Sequence, residues 1–302
     1  MIDMNKRVSH FPSIMPTEYE EMVKAKGFLP YDLDTLPTKF IQKAKEELGE
    51  TDEIRRWDFS IAEHKKLKCP TDDEFLIQFL RARKFDVDKA LGLLHNYFSL
   101  VISYPDFFDN LDKEKIYKCA RSGFINVLPF RDNNGCLLLT LKMGNWDPDD
   151  INVKVLFCTL GAAIFCQITY PMNQICGVRV IFDSKDYSFK QMRCFVPRYL
   201  PLIAKALRNC LPIRIVGIHV VNEAVVFQYA WSIFKHFLSE KVKNRFFLHG
   251  DNMQDVHKYI PKEVLPQEYD GDFTCYDDGG LLPKEIDKIY SKFSMAVKTC
   301  LS

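Results

Sequence analysis

The chain has 302 residues, 47% hydrophobic and 27% charged, with a formal net charge of +1. That composition excludes a disordered or fibrous chain and supports one large core or two smaller ones. Near-neutral charge gives no whole-protein attraction to nucleic acid, so any basic surface must be local.

The N-terminal stretch MIDMNKRVSHFPSIMPTEYEEM lacks the continuous apolar segment of a signal peptide. The ten cysteines form no CxxC pair, and several lie in apolar runs where a reduced thiol acts as a small hydrophobe. Both features predict a cytosolic protein with reduced thiols. The chain up to about residue 110 reads as helices. LDTLPTKFIQKAKEELGE predicts a helix after Pro37. TDDEFLIQFLRARKF opens on Thr71 with Glu74 three residues on, a capping box, and Phe75, Leu76, Phe79 and Leu80 recur at helical spacing. Asp86 or Asp88 would cap a further helix carrying Leu91, Leu94, Tyr97 and Phe98.

From Gly123 the texture changes. GFINVLPF and CLLLTLKMG flank RDNNG, whose Asn134-Gly135 pair is a strong turn signal. GVRVIFDS, ending at Asp183, and RIVGIHVVN, ending at Asn222, read as buried strands. Helices are predicted at about 150–170, 189–210 and 224–246. Strands separated by helices predict an α/β fold with a mainly parallel sheet. The uncharged stretch between Lys154 and Arg179 has a strongly apolar part shorter than the ~20 residues a membrane-spanning helix needs. Gln167, Pro171, Asn173 and Gln174 interrupt the rest, so a buried helix and a turn are expected there. Pro261 and Pro266 bracket an irregular return, and the tail after Gly280 is at best amphipathic.

Catalytic patterns are missing. No GxGxxG follows a strand, and there is no GxxxxGK[ST], GxSxG or HExxH. Asp183 and His219 lie near strand ends, where sites sit in open α/β folds. They read as hydrogen-bonded structural residues, the alternative being a polar cleft that turns over a substrate. We therefore expect no enzyme, no catalytic residues, no metal and no cofactor.

The segment FQYAWSIFKHFLSEKVKNR, from Phe227 to Arg245, is unusual. Placed at ~100° per residue, the apolar side chains of 226–238 fill an arc of roughly 200°, about twice what a one-sided surface helix needs. Such a helix needs two apolar neighbours: core on both sides, a protein partner, or a lipid-filled hollow on one side and a membrane on the other. Lys241 and Arg245 follow four residues apart, on one face if the helix continues. Basic residues there suit a helix C-terminus and also an anionic bilayer.

FLIQFLRARKFDVDKALGLLHNYF, VRVIFDSKDYSF, PIRIVGIHVVNEAVVFQYAWSIFKHFLSEKVKNRFFLHG and LPQEYDGD together resemble the CRAL-TRIO (Sec14-like) lipid-binding family, closest to its alpha-tocopherol transfer branch. The likeness covers roughly residues 17 to 275. It implies a helical N-terminal domain (1–110), a lipid-binding domain (111–275) with a mobile lid helix over an apolar pocket, and a C-terminal tail (276–302). It implies a carrier that moves a small hydrophobic lipid between membranes, with the lipid as cargo. It also implies a basic cleft for phosphoinositide head groups at Arg83, Arg214, Lys241, Lys243 and Arg245. A further basic position of that cleft falls on Val216, a departure that leaves one charge fewer. Arg83 reads equally as a local ion pair with Asp86 or Asp88. Phe227 and Ile233 match lid positions that face ligand. Phe157, Leu160, Ile164, Phe165, Ile181 and Ile218 are further wall candidates, each of which would serve equally as plain core. Two hydroxyl-bearing positions of the tocopherol pocket fall on Leu160 and Ile164, which implies a different or more apolar cargo. The expected partners are the lipid and phosphoinositide-containing membranes; the expected location is cytoplasmic with transient peripheral association. No protein partner is assigned. The alternative is a lipid-gated protein-interaction adaptor, and a hollow beneath the lid discriminates the two.

Overall fold

Five strands, β1 (Ile125–Val127), β2 (Leu137–Lys142), β3 (Val178–Asp183), β4 (Ile215–Val221) and β5 (Phe246–Leu248), form one sheet in that spatial order. The computed structural model describes residues 17–33, 35–50, 73–108, 111–195, 198–273 and 280–301; Thr71 of the expected capping box lies outside the described residues. β1 and β2 are antiparallel, as their short connection requires. At its turn the Gly135 amide donates to the Asp132 carbonyl at 2.9 Å, and Gly135 takes φ +77°, which a residue without Cβ adopts at no steric cost. The other pairs are parallel. They are joined by helices Val153–Gln167 and Pro171–Cys176, then Phe189–Phe195 and Leu200–Asn209, then Val225–Phe234 and Glu240–Lys243. The fold is the expected α/β arrangement. β5 was not among the predicted strands: it is three residues long and follows directly on the basic run.

Strand alternation divides the sheet into two faces. Leu139, Leu141, Val180, Phe182, Ile218 and Val220 join the main core with helices Val153–Gln167 and Val225–Phe234. Leu138, Ile181 and Val221 point the other way, onto Met253, Val256 and Ile260. The stretch after Gly280 is more than a loosely amphipathic tail. It forms helix Leu281–Leu301, which buries Leu282, Ile286, Phe293 and Val297 in the main core.

The N-terminal unit has its own core, in which Phe40, Leu76, Phe79, Leu93 and Phe98 meet. Helix Val87–Ser103 is capped by Asp86, whose carboxylate accepts the Lys89 amide at 3.1 Å. The Arg81 guanidinium donates to both Glu50 oxygens at 3.0 and 2.8 Å and to Gln174 Oε1 at 2.6 Å. That buried, bidentate contact ties the helical unit to helix Pro171–Cys176.

Candidate functional site

The segment 222–245 lies over one face of the sheet. Its entry is held by side chains: Ser184 Oγ accepts the Ala224 amide at 3.2 Å and donates to the Asn222 carbonyl at 2.7 Å. Asn222 takes φ +50° and its amide donates to Asp183 at 2.8 Å. The helix then runs only to Phe234, tightens into a 3-10 turn at Lys235–Phe237, and breaks at Leu238 and Ser239, which are extended. A second, short helix follows at Glu240–Lys243. The expected continuous helix over 224–246 is thus two helices, and Lys241 and Arg245 do not share one helical face. Leu238 explains the break: it is drawn into a small buried cluster with Ala204 and Val242.

The first helix carries two apolar faces, as the wheel requires. Inward, Phe227 packs on Phe182 of β3 with ring centroids 5.6 Å apart, and Trp231 packs on Phe246 of β5 at 4.7 Å. Outward, Val225, Tyr229, Ile233 and Phe237 form a four-residue-spaced stripe, 62, 57, 40 and 43% exposed. Phe189, from helix Phe189–Phe195, extends the stripe beside Tyr229 at 6.2 Å.

Beneath the lid the packing is incomplete. Leu139 and Leu141 of β2 and Phe182 of β3 occupy interior strands, yet each is only half-buried. On helix Val153–Gln167, Phe157, Leu160 and Ile164 form one apolar face and are half-buried as well. Interiors pack densely, and these apolar side chains are left partly accessible. The remaining wall candidates separate. Ile218 is buried in the lid-side core with Phe227. Phe165 packs against Phe293 of the C-terminal helix, at 5.5 Å. Ile181 faces away from the lid, because Val180 and Phe182 on either side of it take the lid side. Ile233 lies on the exposed outer stripe, two helical positions beyond Trp231. Phe182, Trp231 and Phe246 were not singled out by the sequence reading; strand and helix phase, once the lid side is known, picks them out.

Arg83 and the 241–245 run both meet helix Leu200–Asn209, at Asn209 and Ala204, and Arg214 neighbours Arg245. Arg83 Nη2 donates to Asn209 Oδ1 at 2.5 Å, and no described carboxylate pairs with it; Asp86 takes the Lys89 ammonium instead. Ala204 of the same helix packs on Val242, between Lys241 and Lys243. Lys241 is exposed, Lys243 pairs with Glu240 at 2.8 Å, and Arg214 reaches Glu47 only at 3.9 Å. Burial and then the neighbouring Arg214 push the Arg245 guanidinium below its ordinary value, and burial does the same to Arg83. Arg214 is exposed, and its charge disfavours that of the half-buried Arg245. Val216, the departure from the basic position that the resemblance implies, is a half-buried residue at the irregularity in the β3–β4 pairing.

Residues 121–271 match the CRAL/TRIO domain, and residues 33–96 match the CRAL/TRIO N-terminal domain. The chain belongs to the CRAL/TRIO family. A human protein named alpha-tocopherol transfer protein-like is 37% identical over 280 residues, covering 88% of this chain and 80% of its own. Its mouse counterpart is 35% identical over 270 residues, covering 86% and 78%. Mouse clavesin-1 is 34% identical over 247 residues, covering 79% and 70%.

In this CRAL/TRIO chain Asp183 sits at the lid's entry, where it lines a polar cleft with Lys185, Asp186, Asn222, Glu223 and Glu268. It accepts from the Lys185 amide, Asn222 and the Tyr269 hydroxyl at 2.9, 2.8 and 3.2 Å. His219 is enclosed in a hydrogen-bonded chain. Among the described residues no group of His, Cys, Asp and Glu could hold a metal, and no helix is long and apolar enough to cross a membrane.

Proposed function

We propose that the chain binds a small hydrophobic lipid between sheet and lid and transfers it between membranes, gripping phosphoinositide head groups at its basic rim. The carrying observation is the two-faced lid. Its inner aromatics lie over partly accessible apolar side chains, its outer stripe is exposed, and the basic residues Lys241, Lys243 and Arg245 follow it in the chain. Relatives named for tocopherol transfer support the carrier reading. Leu160 and Ile164 bring no hydroxyl to the hollow, which favours a cargo more apolar than a chromanol.

The energetics require a membrane. Exposed apolar surface costs about 25 cal/mol per Å², so an apolar cargo does not leave a closed pocket into water at a useful rate. At a bilayer the outer stripe enters the acyl boundary, and the inner aromatics can part over hydrocarbon instead of water. Each cation near an anionic surface contributes about 1 kcal/mol to holding the protein there. Head groups bias opening to the extent that they bind the open form more tightly. The protein acts as a carrier without catalysis, from the cytoplasm, as a transient peripheral visitor to membranes.

Solvent extraction of the purified protein followed by mass spectrometry should recover one lipid class in near-stoichiometric amount. A protein that is reproducibly empty, and that moves no fluorescent lipid between liposomes, overturns the carrier reading. Lys241→Ala, Lys243→Ala and Arg245→Ala together should weaken sedimentation with phosphatidylinositol bisphosphate liposomes. Unchanged sedimentation removes the rim from the mechanism.

A further inference from the structure

On the side of the sheet away from the lid, Arg179 of β3, His219 of β4 and His249, just after β5, join in an unbroken polar chain that reaches the surface at Asp255 and Lys258. Arg179 Nε donates to Asp132 at 3.0 Å, and its Nη1 lies 3.2 Å from His219 Nε2. His219 Nδ1 lies 2.9 Å from His249 Nε2, and His249 Nδ1 lies 2.6 Å from Asp255 Oδ2. Lys258 pairs with the other Asp255 oxygen at 2.6 Å. His219 has no exposed surface, and its ring lies against Phe247, His249 and Tyr259 at 4.9, 5.2 and 5.0 Å.

One assignment of hydrogens satisfies this chain. A guanidinium only donates, so His219 Nε2 accepts and its Nδ1 carries the hydrogen. His249 Nε2 then accepts, and its Nδ1–H donates to Asp255. No position is left for another proton. On His219 Nε2 it would face Arg179. On His249 Nε2 it would face the His219 N–H. Exchanging the His219 tautomer relieves the second contact by moving the clash back to Arg179.

The part that can yield is β5. Arg179 is anchored by Asp132 on an interior strand, whereas β5 is three residues at the sheet edge, paired through Phe246, Phe247 and Leu248 with β4. Immediately before it is Arg245, whose carbonyl accepts the Ile218 amide at 2.7 Å. Immediately after His249 comes Gly250. Its carbonyl accepts the Asn222 amide at 2.9 Å, and its amide donates to Glu223 Oε1 at 2.7 Å. Asn222 and Glu223 lead into the lid helix. The histidine pair therefore stands between the basic rim and the lid's hinge.

We propose that His219 and His249 form a proton-sensitive clamp on β5, and that acidification loosens β5 and, through Gly250, frees the hinge of the lid. The charged groups facing the pair are Arg179 from β3, and Asp255 and Lys258 from helix Met253–His257 and its exit; only Asp255 favours a protonated ring. Burial, then Arg179 and His249, hold His219 down to about 3 from 6.5. A state in which that ring meets water regains the ordinary value, so it gains about thirty-fold on the closed state between pH 7.5 and 5.0. An anionic membrane at about −30 mV also concentrates protons roughly three-fold at its surface. The clamp does not depend on which cargo, if any, is bound.

Hydrogen–deuterium exchange on the full chain tests this, at pH 7.5 and 5.0 after correction for intrinsic rates. Exchange should rise by about thirty-fold at 246–250 and 219–224, while the β2 amides at 137–141 stay protected. The double variant His219→Gln with His249→Gln can donate and accept along the same chain but takes up no proton, and it should lose the rise. A rise that includes β2, or one that persists in the double variant, overturns the clamp. Should the double variant not fold, His219→Gln alone must reduce the rise, and a wild-type response from it overturns the proposal equally.

Discussion

Arg214 and Arg245 bring two like charges together at the proposed head-group rim. Arg214 has only a long, exposed contact with Glu47, and its charge disfavours that of Arg245. Exposed pairs at such distance contribute little to stability. Arg214→Ala should therefore leave thermal stability within about 0.5 kcal/mol. It should weaken binding to phosphatidylinositol bisphosphate vesicles about five-fold, from loss of ~1 kcal/mol. Co-sedimentation and a thermal melt on the same preparation check both halves. His219 supplies a prediction of a different kind. Its folded value, about 3, lies below the ordinary 6.5. The stability its burial contributes is therefore fully present above pH 6.5 and is lost as pH falls toward 3. Urea unfolding should give a free energy about 2 kcal/mol lower at pH 5.0 than at pH 7.5 from this group, and His219→Gln should flatten that difference.

At the level of the element, the lid helix separates its two roles by phase. Phe227 and Trp231 join the main core, Phe234 packs on Phe246 of β5, and Val225, Tyr229, Ile233 and Phe237 face out. Substitutions on the two faces should part company. Tyr229→Ser with Ile233→Ser removes surface apolar groups. It should leave the unfolding free energy within about 0.5 kcal/mol and weaken vesicle association about ten-fold or more, since each group contributes on the order of 1 kcal/mol when it leaves water. Phe227→Ala should do the reverse, costing about 3 kcal/mol of stability, with vesicle binding retained by the folded fraction. Denaturant titration beside a vesicle-binding curve separates these outcomes; loss of both properties in both variants contradicts a two-faced lid. The two faces were legible in the wheel. The break at Leu238 was not, because no Pro or Gly marks it: it follows from burial of one leucine against Ala204 and Val242.

Across the whole molecule, the sheet divides the apolar lid-side core from the polar chain of Arg179, His219 and His249, and β5 touches both. Its Phe246 packs under the lid on Trp231, its Phe247 stacks on His219, and it links the rim to the hinge. On the proposed reading, a lipid seated between sheet and lid stabilises the chain by RT ln(1 + [L]/Kd). Delipidated protein should therefore melt at a lower temperature than protein reloaded with its extracted lipid, and the difference should grow with lipid concentration. Equal melting temperatures would place the half-buried side chains of Leu139, Leu141 and Phe182 in ordinary packing.

Much of this was readable before any coordinates. Alternating apolar runs and helical stretches determined an α/β fold, the Pro212–Gly250 segment carried the family, and the excess apolar arc predicted a helix with two neighbours. These are local quantities, set by residue type and by the periods of 2 and 3.6. What only tertiary structure decided is direction. In VRVIF a single charge, Arg179, interrupts an apolar run and does not say which face the lid covers, so Ile181 and Phe182 could not be told apart. The three residues of β5 become a strand only by pairing with β4. The amphipathic tail becomes core only because helix Val153–Gln167 offers it a face. His219 and His249 are 30 residues apart in the chain and read singly as isolated histidines. Parallel pairing of β4 with β5 brings them within a hydrogen bond, and a donor-only guanidinium then dictates which way every proton in the chain must point.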